Sequence, residues 1–224
     1  AGVAQPFCAS QAAAAVAKTD DRESRPGSVD VVCRNQTDCT DELQQVLDDA
    51  SSSRVTIKHA EGRKWITRPL TLKRSNVAVR IESGVVLQAR CGFFHGPHDK
   101  LLTIEGTSNV SLQGPGSIRM RREDYANVSL GYTKGEWRHG LSLNNNFNLT
   151  VEHLTVANTG GDGVYVKGLT ESRLHNVTTT GAYRNGLSII SAENLLVDHV
   201  SSQTMLDLIQ SLTDCVCDFS LSSS

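Results

Sequence analysis

From Val55 onward, apolar and polar positions alternate in short runs such as Val55-Thr56-Ile57 and Asn76-Val77-Ala78-Val79-Arg80-Ile81. A period of two sends successive side chains to opposite faces, so these runs predict strands. The pattern also recurs on a longer scale. Stretches beginning His139-Gly140-Leu141-Ser142-Leu143, Asp162-Gly163-Val164-Tyr165-Val166 and Asn185-Gly186-Leu187-Ser188-Ile189 superpose without gaps at an offset of 23 residues. Their second halves align as well, matching Val151 with Leu174 and Val197, and Leu154 with Val177 and Val200. An upstream copy carrying Leu102-Thr103-Ile104 and Asn109-Val110-Ser111-Leu112 falls into register if about 16 extra residues enter between roughly Arg119 and Arg138.

A repeat of this length, built from brief strands without a helix, is one coil of a parallel β-helix. A single coil cannot bury its apolar face, so coils stack and neighbours pair strand to strand. A leucine-rich repeat would need a Leu-x-x-Leu-x-Leu-x-x-Asn signature, which these coils lack. The predicted fold is therefore all-β: a single-stranded right-handed parallel β-helix of about seven coils. Leu141, Leu143, Val151, Leu154, Val164, Val166, Leu174, Val177, Leu187, Ile189, Val197 and Val200 should point inward as aligned stacks. One helix is expected at about 41–50, where Leu43, Val46 and Leu47 form a stripe and Thr40 can cap the first turn. It would cover the open apolar end of the stack. Residues 1–32 read as an N-terminal arm, 33–204 as the β-helix domain, and 205–224 as a C-terminal cap or a truncated tail, because the periodicity dies near Thr204.

With 22 basic and 24 acidic residues, the chain has no electrostatic grip for nucleic acid or an anionic membrane. No apolar run is long enough to span a bilayer. Six cysteines and five glycosylation sequons, at Asn35, Asn109, Asn127, Asn148 and Asn176, point to a secreted, extracellular protein, with Ala1 following a removed signal. Cys33 and Cys39 bracket a short polar loop and are expected to form a disulfide. The pairing of Cys8, Cys91, Cys215 and Cys217 stays open, and Cys215-Val216-Cys217 lacks the four ligands of a zinc site.

A capping helix followed by Asn/Gly-rich coils, with Asn158-Thr159-Gly160-Gly161-Asp162-Gly163-Val164 between two of them, resembles the pectin lyase-like superfamily. The resemblance covers roughly residues 36 to 204. It implies a right-handed parallel β-helix and, in most members, secreted polysaccharide lyases, glycoside hydrolases or epimerases. Polygalacturonase-type hydrolases carry Asn-Thr-Asp, Asp-Asp, Gly-His-Gly and Arg-Ile-Lys motifs. Here Asn158-Thr159 is followed by Gly160 and no matching set appears, nor does the Tyr-Gly-Phe-Asp-Pro-His signature of mannuronan epimerases. No catalytic residue carries over by motif.

The register nevertheless assembles a site. Equivalent residues of successive coils lie about 4.8 Å apart, so His139, Asp162 and Asn185 form a ladder, with Tyr165 between Ser142 and Ser188. Arg138 and Arg184 precede the ladder in its outer coils, and Glu136 and Trp137 enter from the insertion. Arginines suit a uronate carboxylate. The candidate catalytic residues are His139, Asp162 and Tyr165, and the candidate substrate-binding residues are Arg138, Arg184, Trp137, Glu136 and Asn185. Asp162 can orient a base or hold a cation such as Ca2+; no other cofactor or metal is expected. The expected partner is an acidic polysaccharide or oligosaccharide, cleaved by β-elimination or hydrolysis. The alternative is a non-catalytic carbohydrate-binding or extracellular structural protein. Asp162-Gly163 also reads as a turn, and Asn185 as a structural ladder asparagine.

Overall fold

The computed structural model describes residues 27–203, apart from 36, 62–63, 126 and 134–136, together with Leu221–Ser222. Its strands are β1 (Ser28–Val31), β2 (Arg54–Ile57), β3 (Trp65–Thr67), β4 (Leu70–Leu72), β5 (Val77–Ile81) and β6 (Val86–Ala89). They continue as β7 (Leu102–Glu105), β8 (Ser108–Gln113), β9 (Ser117–Arg119), β10 (Leu141–Glu152) and β11 (Thr155–Ala157). The last are β12 (Val164–His175), β13 (Thr178–Thr180), β14 (Leu187–Asp198), β15 (Ser201–Gln203) and β16 (Leu221–Ser222). One sheet runs β1-β2-β5-β8-β10-β12-β14-β16, joined at β10 by β7 and β4; the other runs β15-β13-β11-β9-β6-β3. Every described strand pair is parallel, and the coils wind into a right-handed β-helix.

The pairing reproduces the sequence repeat. Leu141 lies beside Val164 and Val164 beside Leu187, while Leu141 also lies beside Leu102, at the larger offset expected of the insertion. One bulge interrupts the 23-residue spacing: Ile189 pairs with Val166 but Ser191 with Lys167, leaving Ile190 as the extra, exposed residue. Eleven of the twelve residues expected inside are buried, and Val200 is half-buried against the same core.

Corners are made by residues in the left-handed backbone region. Asn76, Asn109, Asn148, Glu171 and Asn194 share one corner, and His153, Asn176 and His199 another. Asparagine tolerates this conformation and its amide bonds onward to the next coil. The Asn109 amide donates to Asn76, and that of Asn148 to Asn109, both at 2.9 Å.

The helix α1 (Thr40–Asp48) closes the first coil with buried Leu43 and Leu47. Gln44 completes the cover: its amide donates to the Thr71 carbonyl and its carbonyl accepts the Thr71 N–H, at 2.7 and 3.0 Å. An exposed strand edge is thereby satisfied by a side chain. The cap differs from the expected one. Thr40 is the first helical residue, and Asp38 accepts its N–H at 2.9 Å, so the carboxylate supplies the N-terminal acceptor. Ser28–Val31, within the stretch read as an arm, pairs with β2 as the first strand. Cys33 and Cys39 form the expected disulfide. The expectations for Cys8, Cys215, Cys217, Glu136 and nearly all of the 205–224 segment lie outside the described residues.

Candidate functional site

The insertion leaves the stack after β9, passes through the short helix α2 (Arg122–Tyr125), and returns at Arg138. It packs on the loop between β6 and β7 through Phe94, Tyr125 and Tyr132, with the last two rings meeting edge to face at 5.3 Å. Arg138 fastens the two loops together. Its guanidinium donates to the carbonyls of Phe94, Thr133 and His95 at 2.6, 3.1 and 2.8 Å, and lies 5.4 Å from the centroids of Tyr125 and Tyr132. The residue is wholly buried, which corrects the expectation that it faces a glycan. Guanidinium planarity lets one side chain satisfy several carbonyls at once, so Arg138 is a structural tie of the wall. The wall also accounts for Gly160. A side chain there would run into the Tyr125 ring.

The ladder forms as the register predicts, but it is covered. His139 and Asp162 are each 1% exposed, and Asn185 is also buried. His139 Nδ1 accepts the Asp162 backbone N–H at 2.9 Å, which places the ring proton on Nε2. Burial, reinforced by the positive charges of Lys100 and Arg184, lowers its pKa to about 3. The imidazole is therefore neutral, and its 3.4 Å approach to the Asp162 carboxylate is not an ion pair. Burial raises the pKa of Asp162, against the opposing effects of Arg184, the Asn185 N–H at 3.2 Å and the Ser188 hydroxyl. The Arg184 guanidinium stands 3.7 Å from this carboxylate.

Aromatic rings make the cover. Tyr165 stacks on His139 at 4.6 Å with an interplanar angle of 11°. Trp137 meets His139 edge-on at 6.3 Å, and Arg184 lies 5.0 Å from the Trp137 ring centre. The glycines after each rung do not serve as turn residues, since Gly140, Gly163 and Gly186 avoid the left-handed region. They are required by space: a side chain on Gly163 would meet the Gly186 carbonyl oxygen at 2.6 Å and Thr179 at 2.9 Å.

Of the residues expected at the site, His139, Asp162, Tyr165, Arg184, Trp137 and Asn185 come together, and Arg138 turns away into the wall. Lys100 was missed. It precedes Leu102 by two positions, as His139 precedes Leu141, so the pairing of Leu102 with Leu141 makes it the next rung beyond His139. Burial lowers the pKa of its ammonium, countered by Asp99 and Glu105. The upstream copy of the repeat already contained this information. The surface over the ladder thus combines two cations, Lys100 and Arg184, with the faces of Tyr165 and Trp137. Such a surface can pair with carboxylates and stack against sugar rings.

No protein-family model matches the chain, and no curated protein matches it by sequence. Among solved structures it is similar to a candidate glycosyl hydrolase from Parabacteroides merdae, at 16% identity and a TM-score of 0.63, over 79% of this chain and 90% of that one. It is also similar to an exopolygalacturonase from Thermotoga maritima, at 13% identity and a TM-score of 0.52, over 82% of this chain and 54% of that one. A polygalacturonase from Erwinia carotovora aligns at 16% identity and a TM-score of 0.48, over 80% of this chain and 62% of that one. The chain spans between 54% and 62% of the two polygalacturonases. At such identities the likeness is one of fold. Parallel rungs, a helix over the first coil and the likenesses to the Parabacteroides and Thermotoga proteins lead to one conclusion: the chain folds as a right-handed parallel β-helix.

Proposed function

We propose that this protein is a secreted β-helix protein that binds an acidic polysaccharide over the Lys100–His139–Asp162 ladder and cleaves it by β-elimination. The observation that carries the reading is the pairing of Lys100 and Arg184 with the exposed faces of Tyr165 and Trp137, above a neutral His139. A uronate carboxylate neutralised by Arg184 has a more acidic neighbouring C–H, and Lys100, its ammonium pKa lowered, is the base best placed to take that proton. Tyr165 would protonate the leaving oxygen. Hydrolysis fits less well. It calls for two accessible carboxyl groups about 5 to 9.5 Å apart, whereas Asp162, the carboxylate of the ladder, is buried. The Cys33–Cys39 disulfide and the sequons support the extracellular placement.

A second reading, glycan binding without turnover, is favoured by a specific observation: His139 and Asp162 are almost completely covered. Incubation with pectate, alginate and glycosaminoglycans, followed by the ultraviolet absorbance of an unsaturated uronate, separates the two. Growth of that absorbance, abolished in Lys100→Ala, supports elimination. Binding with no absorbance selects the second reading. Lys100→Ala and Arg184→Ala should each weaken glycan affinity by roughly 1.5–3 kcal/mol. Unchanged affinity in both variants would remove this corner as the binding site.

A further inference from the structure

A different corner of the stack carries chemistry that the ladder does not use. Each of the last coils ends in a pair of polar residues: Glu152-His153, His175-Asn176 and Asp198-His199. Pairing of β10, β12 and β14 lines up Glu152, His175 and Asp198 in one column. His153, Asn176 and His199 follow them, all with left-handed backbone, which turns their side chains back towards that column. The result is a convergence of imidazoles. His153 and His175 meet edge to face at 5.3 Å, and His175 and His199 at 5.5 Å. Both His175 Nδ1 and His199 Nδ1 aim at one carboxylate oxygen, Oδ2 of Asp198, at 2.7 and 3.3 Å.

We propose that His175, Asp198 and His199 form a binding site for a first-row divalent metal ion of the zinc, nickel or copper class. Two imidazoles and a carboxylate with neutral nitrogen donors select these borderline ions over calcium and magnesium, which prefer all-oxygen cages. The distances admit the ion with little movement. Metal–nitrogen and metal–oxygen bonds of about 2.0–2.2 Å at a tetrahedral angle place the donor atoms about 3.3–3.4 Å apart. The His199–Asp198 separation already has that value, and the three donor atoms lie within 4.8 Å of one another. His175 must open from Asp198 by about half an ångström, and the two imidazole nitrogens, within 4.8 Å of each other, must come to the same spacing, adjustments open to half-exposed and exposed side chains.

Arg173 is the competing cation. Its Nε donates to Asp198 Oδ1 at 3.3 Å and its Nη2 to Oδ2 at 3.1 Å. The same Nη2 lies 3.2 Å from His175 Nδ1, so an ion held by Oδ2 and that nitrogen displaces both Nη2 contacts. Arg173 then holds the carboxylate through Oδ1, as hydrogen-bonding partners of metal-ligating carboxylates commonly do. The cluster lies beside an open groove of about 440 Å3, whose lining includes Glu152, His153 and Asn176. Because His175 and Asp198 come from adjacent rungs, the bound ion would also tie two coils together.

Titration of the full chain at neutral pH, with thiols alkylated so that Cys91 cannot compete, tests the site. Zn2+ and Ni2+ are added against a chromophoric chelator. The expected result is one ion per chain, not displaced by excess Ca2+ or Mg2+. His175→Ala, His199→Ala and Asp198→Ala should each weaken binding at least tenfold, whereas His59→Ala, an exposed histidine elsewhere, should not. Zn2+ should raise the Tm of the parent protein and leave that of His199→Ala unchanged. Absence of binding by the parent would overturn the site, as would parental affinity in both His175→Ala and His199→Ala.

Discussion

The imidazole of His139 accepts the Asp162 N–H at Nδ1 and stacks on Tyr165, so protonating it would cost a hydrogen bond as well as burying a charge. Its pKa falls from 6.5 to about 3. Below about pH 6.5 the unfolded chain therefore takes up a proton that the folded chain refuses, and stability falls as pH drops towards 3. Asp162 acts in the opposite sense. Its raised pKa favours the folded state at low pH, and that contribution is lost as pH rises through the folded value. Replacing His139 isolates the first effect: His139→Gln, which keeps an acceptor for the Asp162 N–H, should lose less Tm than the parent between pH 6.5 and 4.5. Equal losses in thermal melts would show that His139 is not held neutral. Arg138 gives a second residue-level expectation. Arg138→Ala removes the partner of the buried Phe94 carbonyl and of the Thr133 and His95 carbonyls, and should lower stability by roughly 3 kcal/mol in denaturant unfolding.

Among the elements, β10, β12 and β14 carry the architecture. Each bends through corners and contributes inward side chains to two faces, so Val166 is packed between Leu143 and Ile189 of the neighbouring coils. Val166→Asp would bury an unpaired carboxylate there and should cost about 4 kcal/mol or more, read as a fall in the denaturant midpoint. The helix α1 works differently. Its apolar residues close the core while Gln44 and Arg74 bond to backbone carbonyls, Arg74 reaching those of Leu47 and Ser52. A helix end and a sheet edge, both left with unsatisfied groups, thereby satisfy each other.

For the molecule as a whole, the corners constrain which sequons can carry a glycan. Asn35 and Asn127 lie on exposed loops, and in each the side-chain oxygen accepts the N–H and hydroxyl of the residue two positions on. Asn109 and Asn148 instead commit their amide nitrogens to the corner ladder, and Asn176 approaches His153 at 2.7 Å. A glycan on those nitrogens would displace bonds that join one coil to the next. In protein secreted from eukaryotic cells, glycopeptide mass spectrometry should find sugar at Asn35 and Asn127 and little at Asn109 and Asn148. Full occupancy of Asn109 and Asn148 would show that the ladder forms without their amides. The same stacking logic separates the two corners of interest: one gathers cations and aromatics above a buried histidine, the other gathers imidazoles in the open.

The sequence by itself determined the repeat, its 23-residue register, the place and size of the insertion and the inward stacks. These follow from periodicity, which is a property of order along the chain. It also brought His139, Asp162, Asn185, Tyr165 and Arg184 to one corner, since equal positions in successive coils must be neighbours. Lys100 was legible in the same way, through the upstream copy that ends at Leu112. What the sequence could not decide is which of these groups meet solvent. Arg138 and Arg184 occupy equivalent positions, yet one is sealed beneath Tyr125 and Tyr132 while the other remains partly exposed at 27%. That difference depends on how two irregular loops fold against each other. Neither loop has a period to read, and only their packing in three dimensions settles it.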